Sequence, residues 1–169
     1  TDTASLSDTK IINGFTNALV TVSSVKDTRS NVTDIAGLSG VDMSSAVAAI
    51  DDAVSLSEAE ALDNLTDGKI TLSAVKDTYA NIQDVKKIDN AQVDMGAANL
   101  QVTSQTNITE INDLRDNDTT GNITIDEVSE SKDNLATINA YTDVSLASAN
   151  ISVTDVVCLL YTSDAADEK

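Results

Sequence analysis

The 169-residue chain contains no histidine, no proline and no tryptophan, and its aromatic residues are one phenylalanine and three tyrosines. Without imidazole, Ser-His-Asp and Cys-His nucleophile activation and histidine metal ligation are excluded. With so few rings, a core has to be built from branched aliphatic side chains. The single cysteine, Cys158, cannot form an internal disulfide. No apolar run approaches the roughly 20 residues of a spanning helix, so membrane insertion is not expected. No signal-peptide pattern opens the chain. Positive charge is scarce too: 10 basic residues face 28 acidic ones, a formal net charge of −18. That balance argues against nucleic acid and anionic membrane as partners.

Leu, Ile, Val and Phe together number 43, about a quarter of the chain, enough for a packed core. The length suits one domain. Asp outnumbers Glu by 22 to 6. Asp favours helix N-caps, turns and ion ligation over helix interiors, so many short elements are expected. An internal repeat organises them. Ser5 to Thr28 (SLSDTKIINGFTNALVTVSSVKDT) lies without a gap over Ser55 to Thr78 (SLSEAEALDNLTDGKITLSAVKDT), at an offset of 50. Asn31-Val32-Thr33-Asp34-Ile35 continues over Asn81-Ile82-Gln83-Asp84-Val85, and Val41-Asp42-Met43 over Val93-Asp94-Met95. Weaker copies follow at Asn122–Ile125, at Asn134–Ile138 and at Val144–Ile151. Repetition of this length marks a solenoid or an array.

One unit reads as helix, strand, helix, strand. Ser57 stands as the cap of a helix with Glu60 at the capping-box position, and Asp67-Gly68 stops it. Lys69–Ser73 alternates polar and apolar residues, which predicts a strand. Asp77 or Thr78 caps a second helix whose Ile82, Val85 and Ile88 share one face. Gln92–Met95 is a second short strand. The fold class is therefore α/β, a repeat solenoid of short parallel strands and short helices; a mainly α-helical repeat array is the alternative. Residues 1–157 form a single repeat domain with approximate units 1–40, 41–92, 93–143 and a partial 144–157, and residues 158–169 are a non-native or disordered tail.

Two phrases carry a resemblance. Val25-Lys26-Asp27-Thr28-Arg29-Ser30-Asn31-Val32 and Val75-Lys76-Asp77-Thr78-Tyr79-Ala80-Asn81-Ile82 resemble the Val-x-Asp-Thr-x-x-Asn-Ile repeats of large secreted or surface bacterial proteins. Some of those also carry haemolysin-type calcium-binding repeats, whose glycine-rich nonapeptides are absent here. The resemblance implies a structural or adhesive repeat segment at the cell surface or outside the cell. It implies no catalysis, and a protein or glycan on a surface as partner. Separately, Cys158–Glu168 resembles the in-frame translation of a transposase adapter used in sequencing libraries. That implies a metagenomic fragment whose natural chain lacks cysteine. Without residues 158–169 the net charge is −16, so the acidity belongs to the repeats.

One segment, Asp116–Glu127, lies close to an EF-hand loop. Asp116 and Asp118 take ligand positions one and three, Gly121 the sharp turn, Asn122 the backbone ligand and Glu127 the bidentate position. Thr120 stands where Asp or Asn is usual, and Thr124 or a water completes the set. Helices are expected on either side, over Ile108–Arg115 and Val128–Ile138. Calcium is thus the candidate cofactor; alternatively the segment is a helix-to-strand turn of the repeat. There are six Asn-x-Ser/Thr sequons, at Asn31, Asn64, Asn107, Asn117, Asn122 and Asn150, of which four or more follow from the repeat's Asn-apolar-Thr phrase. The reading preferred for the regular asparagines is a buried ladder that bonds the backbone at the turns. Asp51-Asp52 is the carboxylate pair nearest to a glycosidic arrangement, without aromatic residues to stack a sugar. No catalytic residue is assigned.

Overall fold

Each helix of the chain is short because it begins at a dedicated capping side chain and ends in a polar turn. A computed structural model describes residues 3–88 and 92–155. Its helices are α1 (Leu6–Gly14), α2 (Arg29–Ala36), α3 (Leu56–Asp63), α4 (Tyr79–Val85), α5 (Ile108–Asp113) and α6 (Lys132–Asn139). Their N-caps are Ser5, Thr28, Ser55, Thr78, Asn107 and Ser131, each accepting a hydrogen bond from the amide three residues on. Ser5, Ser55 and Asn107 close full capping boxes with Asp8, Glu58 and Glu110. The cap of α3 is thus Ser55 and not Ser57, because Glu58 can reach back to the Ser55 amide at 2.9 Å.

Between the helices lie β1 (Val20–Thr21), β2 (Ser24–Asp27), β3 (Val41–Asp42), β4 (Val47–Val54), β5 (Ile70–Asp77), β6 (Val93–Asp94), β7 (Asn99–Thr106), β8 (Ile123–Glu130), β9 (Val144–Ser145) and β10 (Asn150–Val153). The main sheet runs β2-β4-β5-β7-β8-β10, with β6 beside β5 and β9 beside β8, and β1 pairs with β3. All of these pairings are parallel. Each long strand therefore lies beside the next one in sequence, reached through one helix. The mixed α/β class holds; the mainly helical alternative does not.

Partners in the sheet are 21 residues apart at Val20 and Val41 and 25 apart at Ala74 and Asn99. One pass of strand and helix is thus about half of the 50-residue repeat, and each repeat contains two unlike passes. The difference is a bulge. Between Ile50 and Ala53, β4 carries one residue more than β5 has between Leu72 and Ala74. The same extra residue recurs in β7, between Val102 and Gln105. The buried positions keep even spacing through the bulged strand (Ala48, Ile50, Val54) and change phase in its partner, between Leu72 and Val75.

The helices cover one face of the sheet. Ala48, Ile50 and Val54 of β4 are buried, whereas Val47, Asp51 and Ala53 are exposed; in β5, Ile70, Leu72 and Val75 are buried, whereas Thr71, Ser73 and Lys76 are exposed. Val32, Ile35, Leu62, Ile82, Val85, Ile111, Leu114 and Ile138 complete the core from the helices. Among the described residues no aromatic side chain is fully buried, and Phe15 is 83 % exposed. Val20 and Ile70 both open strands, and Val32 and Ile82 sit in equivalent helices, as the repeat requires.

Two turns explain recurrent spacing within the chain. Asp42 and Asp94 accept the amides of Ser44 and Gly96 at 3.0 and 2.9 Å, which tucks Met43 and Met95 into the core. Gly68 does not stop α3, which ends at Asn64 in ordinary helical conformation. It is needed because a Cβ there would lie 2.1 Å from the Ala46 carbonyl oxygen; Gly121 stands likewise 2.3 Å from that of Ala98. Thr66 and Thr119 donate to those carbonyls at 2.7 and 2.6 Å. Residues 156–169, which hold the adapter-like stretch, lie outside the described residues.

Ile82 has no exposed surface, and its helix α4 packs on α3 and on the sheet. Ile82→Ala is expected to destabilise the chain by about 2–4 kcal/mol in urea unfolding, against less than about 1 kcal/mol for Phe15→Ala.

Candidate functional site

The most repeated arrangement of functional groups lies at the helix N-termini. The first N–H groups of a helix have no acceptor within it and carry partial positive charge. Here the first-turn amide of every described helix is taken by a side chain in, or just beyond, the following strand. Leu6 donates to Asp27 Oδ2 (3.0 Å), Arg29 to Asp52 Oδ1 (2.7 Å) and Leu56 to Asp77 Oδ2 (2.9 Å). Tyr79 donates to Ser104 Oγ (3.1 Å), Ile108 to Glu130 Oε1 (2.7 Å) and Lys132 to Asp155 Oδ2 (2.7 Å).

The two classes of pass supply this acceptor differently. Asp27, Asp77 and Glu130 end their strands. Their second oxygen accepts the amide of the next N-cap, Thr28, Thr78 or Ser131, at 2.8, 2.8 and 3.1 Å. The same oxygen accepts the side chain of Asn31, Asn81 or Asn134 at 2.7, 2.8 and 2.7 Å. Asp52 and Ser104 sit instead within the bulges, in step with the buried residues on either side of them. This is the meaning of the recurring Asp-Thr-x-x-Asn phrase: each carboxylate joins its own helix start to the preceding one. Asn31, Asn81 and Asn134 bond these carboxylates, whereas Asn64 Nδ2 donates to the Glu60 carbonyl and Asn107 Oδ1 accepts the Thr109 and Glu110 amides, so only part of the regular asparagines bonds the backbone.

Electrostatics follow from the geometry. Partial burial pushes the Asp77 carboxyl up, but the amides of Leu56 and Thr78 and the Asn81 side chain outweigh it and hold its pKa below the ordinary value. Asp27 is lowered in the same balance of burial against the Leu6, Asn31 and Thr28 donors. Glu130 is lowered chiefly by Asn134, then by Ile108.

The Asp116–Glu127 segment begins in a π-helical turn and ends in a strand. Leu114–Asp118 is a π-helical turn closed by the Thr119 amide on the Leu114 carbonyl at 3.1 Å. From Leu62 to Thr66 the second repeat has one residue fewer than the third has from Leu114 to Thr119, and the wide turn absorbs the insertion. Asp118 is buried and is bound by the Lys86 ammonium and the Gln83 amide. Thr120 Oγ1 donates to the Gly96 carbonyl (3.1 Å), and the Asn122 amide donates to Asn99 Oδ1 (3.0 Å). Thr124 and Glu127 lie in β8, and Val128 continues that strand where a helix was expected. At about 3.3 Å per residue, β8 carries Glu127 about 13 Å from Ile123. Among the described residues no group of three acidic, histidine or cysteine side chains is arranged to hold a metal.

Asp51 and Asp52 do not act together. Asp51 faces Lys26 at 3.7 Å, whereas Asp52 takes the Arg29 amide. Further cross-pass ties, which sequence reading missed, flank the π turn. Tyr79 Oη donates to Asp113 Oδ2 at 2.7 Å, and partial burial with this acidic neighbour pushes the phenol up to about 12. Arg115 bonds Asp143 at 2.8 Å and stacks over the Tyr141 ring at 3.8 Å.

Three outcomes are expected. Asp77→Asn and Glu130→Gln each lose about 1–2 kcal/mol of unfolding free energy, as lost helix caps do, while the exposed Glu127→Gln changes it by less than about 0.5 kcal/mol. Carboxyls with a lowered folded-state pKa add stability above their unfolded values, near 3.9 for Asp and 4.3 for Glu. That stability is lost as pH falls through the folded values, so thermal melts from pH 6 downward should show an acid limb below about pH 4.5, shallower in Asp77→Asn. Asp118→Asn should lower the melting temperature equally in calcium and in EDTA; a loss confined to calcium would assign the segment to an ion.

The chemistry on offer is recognition of backbone amides by carboxylates within the fold, and the helix-free sheet face presents a mixed, small-polar surface. Comparison with protein-family models, curated proteins and solved structures finds no match to this chain.

Proposed function

We propose that the chain is a solenoid segment of a larger bacterial protein of the cell surface or exterior, with a structural or adhesive role and no catalysis. The observation that supports it is the recurrence of one joint, a helix-start amide on an acceptor one pass further on, at all six described helices. Such a joint adds length by repetition, and in repeat arrays each unit contacts only its neighbours. Five of the 28 acidic residues, Asp27, Asp52, Asp77, Glu130 and Asp155, serve this joint. An adhesive partner, protein or glycan, has the exposed sheet face available, where Thr71, Ser73, Lys76, Gln105 and Glu127 stand free of helices.

The test is length. A chain with residues 55–106 duplicated in tandem adds one complete two-pass repeat. In a solenoid the urea midpoint and the m-value both rise with the added unit, because each new interface contributes and more surface is exposed on unfolding. A midpoint that falls, or two separate transitions, would remove the solenoid reading and with it the structural role.

A further inference from the structure

Of the six glycines in the chain, two follow an Asn or an Asp, in the pairs Asn13-Gly14 and Asp67-Gly68. In such a pair the glycine amide nitrogen can attack the side-chain carbonyl carbon before it, since glycine has no Cβ to obstruct the approach. The fold treats the two pairs differently. Asp67-Gly68 is held by the passes on both sides of it. The Asp67 amide donates to the Ser44 carbonyl at 2.7 Å, and its carbonyl accepts Gln92 Nε2 at 2.6 Å. The Gly68 amide donates to Thr66 Oγ1 at 3.0 Å, and a Cβ on Gly68 would lie 2.1 Å from the Ala46 carbonyl oxygen. Bringing the Gly68 nitrogen onto Asp67 Cγ requires rotation about the Asp67 Cα–C bond, and that rotation breaks these contacts together.

Asn13-Gly14 has no such frame. The pair closes α1, and Gly14 is exposed; a Cβ there would meet nothing within 4 Å beyond its own helix and chain neighbours. That exposure does not come from its place in the first repeat, because the equivalent residue of the second, Asn64, lies within the stack and is exposed as well. The Asn13 carbonyl is among those that a helix end leaves without an intrahelical partner. The Phe15 amide closes the last turn on the Ile12 carbonyl at 3.0 Å, and terminal turns open at far lower cost than helix middles. One side-chain bond restrains Asn13, from Nδ2 to the Ser39 carbonyl at 3.1 Å. It ties α1 to the turn between α2 and β3, where Gly40, at φ +80°, lies against Asn13 Oδ1. The third repeat has Arg115 at this position and makes the corresponding tie to Asp143, before β9.

We propose that Asn13 is a site of spontaneous deamidation that severs the tie between α1 and the following pass, and that the fold withholds the same chemistry from Asp67. The deprotonated Gly14 nitrogen forms a bond to Asn13 Cγ, and the side-chain nitrogen leaves as ammonia. Water, the only co-reactant, then opens the cyclic imide at one of its two carbonyls and leaves aspartate or isoaspartate at position 13. Either product removes the Nδ2 donor and adds a negative charge beside the Ser39 carbonyl, which is left without that hydrogen bond. Isoaspartate also lengthens the backbone by one carbon where α1 ends. At Asp67 the attack would expel water in place of ammonia, but the docked turn keeps the nitrogen and the carboxyl carbon apart.

The experiment incubates the full chain for weeks in mildly alkaline buffer, folded and, in parallel, unfolded in guanidinium chloride. Peptide mass spectrometry and labelling by an isoaspartyl methyltransferase then read each site. In the folded chain the Asn13 peptide is expected to gain the mass of an amide-to-acid conversion and to split into two chromatographic forms. Asp67 is expected to give isoaspartate only in the unfolded chain. Gly14→Ala has room for its methyl group and should slow the conversion roughly tenfold or more without lowering the melting temperature. Asn13→Asp reproduces one product and should melt below the parent. A folded chain in which Asn13 stays intact, or in which Asp67 converts as fast as Asn13, overturns the proposal. So does an Asn13→Asp chain that melts like the parent, since the tie would then hold nothing.

Discussion

The N–H groups that open a helix have no carbonyl within it to reach, and when parallel helices lie side by side these groups gather along one edge. In this chain every long strand runs parallel to its neighbours, so the helices that connect them are parallel as well. Their positive ends would repel one another if left bare. A carboxylate from the following strand, placed against each helix start, removes both problems at once. It satisfies an orphaned donor and neutralises the end of a dipole, and since it comes from the next pass it also ties the two passes together. Among the described helices only α4 has an uncharged acceptor, the Ser104 hydroxyl. The Glu130 joint shows that the geometry accepts the longer side chain, but Asp suffices where the strand ends directly beneath the helix.

That constraint sets the period of the sequence. A single pass would repeat about every 23 residues if all passes were alike, as Leu100 and Ile123 are spaced. The acceptor can, however, be delivered from two positions. In β5 and β8 it is the last residue of the strand, beyond a point where the buried positions slip by one residue, from Leu72 to Val75 and from Ile125 to Val128. In β4 and β7 the extra residue of the bulge keeps Asp52 and Ser104 in step with the buried positions on either side, so that they reach the helix before the strand ends. The two solutions alternate, and the sequence therefore repeats over two passes. The inserted residue of the third copy is accommodated where the joint is not involved, in the wide turn after α5.

The class of fold and the equivalence of Val20 with Ile70 and of Val32 with Ile82 were legible, because a gapless match of two long segments needs no knowledge of structure. The core was legible for the same reason: Ile82 and Val85 keep helical spacing. The joint was not. Asp27 and Asp77 read as caps or turn residues, since nothing local reveals that a carboxylate serves the helix before it, 21 residues back at Leu6 and Leu56. Nor was the pairing of Ser55 with Glu58 separable by pattern from that of Ser57 with Glu60, as both satisfy the capping-box spacing. The resemblance of Asp116–Glu127 to an ion-binding loop has a physical origin. Asp and Gly are shared by calcium loops and by helix-to-strand turns, the first for oxygen ligands and the second for amide acceptance and close backbone approach. What separates them is the conformation after the glycine, and Ile123-Thr124-Ile125 carries the alternation of a strand.

Acidity of this order works against a compact chain, for the carboxylates repel one another wherever they lie near. Their placement limits the cost. Asp27, Asp77 and Glu130 stand at the positive ends of helices, and Asp118, buried in the turn after α5, is held by Lys86 and Gln83. Where Leu65 fills the corresponding corner of the second repeat, the third has Asp118, and the core loses an apolar contact that an ion pair replaces. Replacement of that kind is seldom favourable in itself, since a buried charge must recover its lost hydration. It ties the turn after α5 instead to α4 and its C-cap, through Tyr79, Gln83 and Lys86. The apolar core is built from aliphatic side chains that pack alike in either direction along the stack. Polar ties of this kind, together with the carboxylate joints, are therefore what distinguishes one pass from the next and fixes their order.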